Sequence, residues 1–97
     1  MTYYFLAAIR AHDAETYSHY QAAARANLVA DHRFELLAVS PKYTLEEGEL
    51  DATDLVLLRF PDRAEFEAWW HSDRYQEIKP LRLASSDTLF AATFEGA

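Results

Sequence analysis

The stretch "DLVLLRFPDRAEFEAWW", residues 54–70, reads as a strand, a stop and a helix start in direct succession. Leu55 and Leu57 alternate with Val56, Leu58 and Phe60, so both faces of this strand are apolar. A sheet with one face in water should instead alternate apolar and polar residues. Pro61 and Asp62 end the run and open a helix, and Asp62 with Glu65 matches a capping box. The helix is predicted to run to about His71, with Phe66, Trp69 and Trp70 on one stripe of about 100°.

The same reading extends in both directions. Tyr3 to Ile9 is an apolar, aromatic-rich strand, again apolar on both faces. Asp13 offers an N-cap to a helix over Ala14 to Asp31, along which Tyr17, Tyr20, Ala24 and Leu28 form an apolar stripe. "FELLAVS" (34–40) is a second strand stopped by Pro41, and the acidic "KYTLEEGELDA" (42–52) is a surface loop or edge hairpin. A short helix is predicted around Asp73 to Ser85, bent or restarted at Pro80, and "TLFAATFE" (88–95) closes the chain as a strand.

The order β-α-β-β-α-β predicts an α+β, ferredoxin-like fold with a four-stranded antiparallel sheet, residues 1–97 forming one domain. Its helices cover one face only. Because the strands are apolar on both faces, the other face needs a cover, and a second copy of the sheet is the simplest. The expectation is a homodimer closed face to face into an α/β-barrel.

Composition narrows the partners. Sixteen acidic against nine basic residues give a net charge of −7 with no cluster of Lys or Arg, which argues against nucleic acid and anionic membranes. With no cysteine, disulfides, thiolate nucleophiles and Cys-based metal sites are excluded. The N-terminal apolar run is too short to span a bilayer and lacks a basic leader, so the cytoplasm is the default location. No Gly-rich phosphate loop occurs, and no organic cofactor is expected. Glu15 with His19, and Asp31 beside His32, are potential metal ligands without an evident third, so no metal site is assigned.

Phe60-Pro61, Trp69, Ser72, Tyr75-Gln76 and Arg82, with His32 and Glu47-Gly48, resemble the pattern of the domain-of-unknown-function-1330 family. The resemblance covers nearly the whole chain and implies a small dimeric α/β-barrel. Arg33-Phe34 and Val39-Ser40 stand where the family has glycines, and Arg59 where it has a glutamate. The resemblance singles out His32, which near a tyrosine would serve as a proton acceptor.

Each candidate residue has a bland role beside its chemical one. Trp69 and Trp70 pack on the sheet, or one indole walls a pocket between helix and sheet. Ser72 suits a helix cap better than a nucleophile. Tyr75, Lys79 and Arg82 share a face if Pro80 leaves the helix intact. A tyrosine hydroxyl beside an arginine fork suits a carboxylate, enolate or phenolate, whereas the bland role for Arg82 is a salt bridge. Arg59, on the face of Leu55 and Leu57, needs a partner or a ligand.

Three readings follow. The first is a cofactor-independent enzyme performing proton abstraction, isomerisation or oxygenation on a small anionic or aromatic metabolite. In it His32, Tyr75 and Arg82 are the catalytic candidates, and Arg59, Trp69 and Ser72 the ligand-binding ones. The second is a non-catalytic homodimeric module that binds a small molecule. The third is a haem or metal protein.

Overall fold

The computed structural model describes residues 1–97. The elements are β1 (Tyr3–Ala11), α1 (Ala14–Asp31), β2 (Glu35–Ser40), β3 (Asp54–Phe60), α2 (Arg63–Trp70), α3 (Asp73–Ser85) and β4 (Ser86–Glu95). The strands form a four-stranded sheet in the order β2-β3-β1-β4, with every neighbouring pair antiparallel. This is the ferredoxin-like arrangement.

Local chemistry fixes the helix starts. The Asp13 carboxylate accepts from the Thr16 N–H (3.2 Å) and that of Asp62 from the Glu65 N–H (2.8 Å). Ser72 Oγ accepts from the Tyr75 N–H (3.1 Å) and donates to the Trp69 carbonyl (2.7 Å). One serine thus ends α2 and begins α3.

Helix α3 continues through Pro80 without a restart, with Tyr75, Ile78, Arg82 and Ser85 all buried along it. Burial of that one face on both sides of Pro80 holds the helix together. Pro80 itself is exposed, and so is Gln76, whose carbonyl loses its helical donor there but stays within reach of water. Residues 41–53 form a loop and no hairpin. The Tyr43 hydroxyl holds it by donating to the Leu50 carbonyl (2.9 Å) and accepting from the Ala52 N–H (2.9 Å). Gly48 supplies a positive φ of 90° in this loop, which a side chain would strain.

The core lies between the sheet and the helices. Tyr3, Phe5, Ala7 and Ile9 of β1 pack with Leu58 and Phe60 of β3, Phe66 and Trp69 of α2, and Tyr75 and Ile78 of α3. Trp69, Tyr75 and Phe60 are its largest fully buried side chains. Each such residue contributes about 1.5–3 kcal/mol by leaving water.

The opposite face is bare. Along it Tyr4 stands opposite Arg59 and Phe94, Leu6 opposite Leu57 and Ala92, and Ala8 opposite Leu55 and Phe90. Phe94 is 45% exposed and Phe90 40%, with nothing above them in the chain. Near the β2 edge a bulge between Leu36 and Ala38 lets Leu36 and Val39 line the cavity on the helical side.

Candidate functional site

Between the helical layer and the sheet lies a cavity of about 310 Å³. Phe5, Val56 and Leu58 form its floor, and Tyr17, Tyr20 and Leu28 of α1 its roof. Trp69 and Arg82 also line it, while Gln21 and Arg25 are polar residues on its α1 side. The lining contains no Asp, Glu or His. The volume is at the small end of ligand pockets, and the mix of apolar wall and few polar groups is what such pockets use.

Arg82 is the main polar feature. It sits in the last turn of α3, only 7% exposed. Its Nη1 donates to Thr88 Oγ1 on β4, its buried Nε has no partner, and its Nη2 makes no hydrogen bond to the protein. No carboxylate lies within ion-pair distance of it. Aromatic rings support the guanidinium instead: its carbon is 5.8 Å from the Trp70 ring centre and 6.0 Å from that of Tyr20. Such cation–π contacts are worth about 0.5–2 kcal/mol each and do not neutralise the charge.

Tyr20 carries the connection further. Its hydroxyl is 2.7 Å from that of the fully buried Tyr75. Burial, reinforced by Tyr75, pushes the Tyr20 hydroxyl well above the ordinary tyrosine range. Tyr17 stacks on Tyr20 with ring centres 5.8 Å apart. Its hydroxyl is pushed up to about 12, chiefly by burial and then by Asp54, with Arg82 opposing. Both cavity tyrosines are therefore neutral donors at ordinary pH, not bases.

The residues singled out from the sequence are thus distributed. Arg82 and Trp69 line the cavity, and Tyr75 stands behind it through Tyr20. Lys79 Nζ lies 5.6 Å over the Trp70 ring, so Tyr75, Lys79 and Arg82 do share a face, gathered on Trp70. Ser72 is committed to its two capping bonds.

His32 does not join Tyr75 and Arg82. It caps the C-terminus of α1, its backbone N–H donating to the Leu28 carbonyl (3.0 Å), and its Nδ1 lies 4.0 Å from Glu65. Arg59 also faces away from the cavity and pairs with Glu35 across the β2–β3 ladder. It lines a second, polar hollow of about 370 Å³ with Thr2, Arg33, Glu35 and Pro61. That hollow is the larger by volume, but Glu35 and Glu65 already pair its arginines. The buried cation without a carboxylate, Arg82, is in the mostly apolar cavity.

Tyr17 and Tyr20 are the polar cavity groups that sequence reasoning placed only on an apolar stripe. The available signal was that both stripe aromatics carry hydroxyls, which need partners when buried.

The family model described as Domain of unknown function (DUF1330) matches residues 2–94. Comparison with curated proteins gives no match. Among solved structures, a protein of unknown function from Rhodopseudomonas palustris, RPA0582, aligns over 99% of this chain and 82% of its own, at 15% identity and a TM-score of 0.82. SnoaB, a cofactor-independent oxygenase from Streptomyces nogalater, aligns over 99% and 93% at 14% identity and a TM-score of 0.72. A dimeric ferredoxin-like protein of unknown function from Jannaschia sp. CCS1 aligns over 99% and 100% at 16% identity and a TM-score of 0.71. At these identities the likeness is one of fold. No helix is long and apolar enough to cross a membrane.

Proposed function

The chain belongs to the DUF1330 family, and from that footing we propose that it is a homodimer, joined through the bare sheet face, that binds a small, mostly apolar anion in the cavity against Arg82. The observation that carries this reading is a buried guanidinium with no carboxylate partner and a free Nη2, in an otherwise apolar cavity. Arginine cannot shed its proton to escape such a site. An unpaired buried charge costs several kcal/mol, and a ligand anion removes that cost.

The test is thermal unfolding with 2-naphthoate and its neutral isostere 2-naphthamide, on wild type and on Arg82→Met, which keeps the length but not the charge. A ligand at 100 times its Kd stabilises the native state by about 2.7 kcal/mol. The naphthoate should raise the melting temperature of wild type by several degrees, with the amide inert and the variant unresponsive. Equal shifts in both proteins, or none in either, would sink the reading.

The likeness to a cofactor-independent oxygenase favours a second reading, in which the bound anion also reacts. Arg82 would then hold the enolate or phenolate in place for reaction with dioxygen, as a preorganised charge in a dry site. With no carboxylate or imidazole in the lining, the substrate has to enter already ionised. Oxygen uptake with acidic phenols, absent in Arg82→Met, would favour it over simple binding.

A further inference from the structure

Besides Arg82 and the buried indole N–H of Trp69, the cavity lining holds a hydroxyl whose partner the fold does not supply. Tyr17 is only 4% exposed and lines the cavity, and no protein atom hydrogen-bonds to its hydroxyl. The fold therefore leaves the hydrogen-bonding capacity of this hydroxyl unused, on a residue that lines the cavity. Tyr17 and Arg82 both rest against the ring of Tyr20, at 5.8 and 6.0 Å from its centre. A residue of α1 with a neutral O–H donor and one of α3 with a cationic N–H donor thus both pack on one aromatic ring and line one cavity.

The buried lining groups left without a full set of partners, Arg82, Trp69 and Tyr17, all offer donors, and they say what the ligand must be. It has to present acceptor oxygens, and it must carry its negative charge on arrival, because the lining has no Asp, Glu or His to take a proton. A phenol, ordinarily neutral below a pH of about 10, fails that condition, whereas a carboxylic acid is ionised above a pH of about 4. A carboxylate also has two oxygens, so it can accept from both donors at once. The walls of Phe5, Phe34, Tyr20 and Trp69 suit a flat aromatic body.

Resting on the reading of Arg82 as an anion site, we infer that the ligand is an aryl carboxylate whose carboxylate bridges the Arg82 Nη2 and the Tyr17 hydroxyl. Tyr17 is then a ligand-positioning residue, and it sets a preference for carboxylates over phenols and amides of the same shape.

The experiment is calorimetric titration of 2-naphthoate and 2-naphthol into wild type, Tyr17→Phe and Arg82→Met, with thermal unfolding of each free protein as the check on folding. Tyr17→Phe removes one oxygen and keeps the ring. It should melt like wild type yet bind 2-naphthoate about tenfold more weakly, the loss of one hydrogen bond to a charged group. Arg82→Met should lose binding altogether, and 2-naphthol should bind wild type no better than it binds Tyr17→Phe. Equal naphthoate affinity in wild type and Tyr17→Phe, with binding lost in Arg82→Met, overturns the role of Tyr17 and leaves the anion site standing. Tighter binding of 2-naphthol than of 2-naphthoate overturns the carboxylate class. No binding of either to wild type overturns both this inference and the reading beneath it.

Discussion

At the residue scale the site is a set of buried polar groups held in place by aromatic rings. Trp70 gathers Tyr75, Lys79 and Arg82, while Tyr20 packs against both Tyr17 and Arg82. This has a consequence at high pH. An unfolded tyrosine titrates near 10, but Tyr17 in the folded chain holds its proton to about 12 because it is buried, with Asp54 adding to the effect. Above pH 10 the unfolded state therefore binds fewer protons than the native one, and stability falls as pH rises. The contribution is fully present below pH 10 and is lost through about 12. Urea unfolding on either side of pH 10 should show a steeper decline for wild type than for Tyr17→Phe, and coincident slopes would mean that Tyr17 titrates as if in water. Little of this could be read from the sequence. Tyr17 and Tyr20 fall on an apolar stripe whichever way their hydroxyls turn, and the partner of a hydroxyl depends on how α1 meets α3. His32 shows the limit of a pattern match in the same way: a histidine at a helix end goes wherever its cap takes it.

At the element scale the sequence speaks more directly, because caps and periodicity are local. Asp13, Asp62 and Ser72 each sit at the N-cap where the spacing of acids, serine and apolar residues puts them. Ser72→Ala removes the acceptor for the Tyr75 N–H and the donor to the Trp69 carbonyl. It should cost about 1 kcal/mol, read as a lower urea midpoint with unchanged slope. Pro80 is where local reasoning gave way. A proline inside a helix costs about 3 kcal/mol relative to alanine, which is ground to expect a restart, but the buried row from Tyr75 to Ser85 keeps the helix continuous. Pro80→Ala should therefore stabilise the chain, by less than that figure because alanine also frees the unfolded state. A lower melting temperature for this variant would show that the proline is shaping α3 and not merely tolerated by it. The bulges in β1–β4 and β2–β3 were not legible, since a register shift is a property of two strands and not of one.

At the scale of the whole molecule the sheet has two apolar faces and the helices cover one. The alternation in "DLVLLRF" already indicated this, and the registered rows Leu6–Leu57–Ala92 and Ala8–Leu55–Phe90 form one continuous apolar surface, in which only the small Ala8 is covered by its neighbours. Stable dimers bury about 1,200–2,000 Å² in total, and a four-stranded face is the element here with room for that. Charge sits at its margins, where Arg59 pairs with Glu35 and Arg10 with Asp87. Leu57 is central, opposite Leu6 in β1 and Ala38 in β2. A carboxylate there would meet the partner's apolar face without a counter-ion, and burying it would cost several kcal/mol per copy. Leu57→Glu should consequently convert a particle of twice the chain mass, measured by light scattering, into a monomer. The cavity lies on the opposite face of the sheet, so that monomer should still take up 2-naphthoate. A wild type that stays monomeric at high concentration would overturn the dimer, and a Leu57→Glu monomer that loses the ligand would make the second copy part of the site.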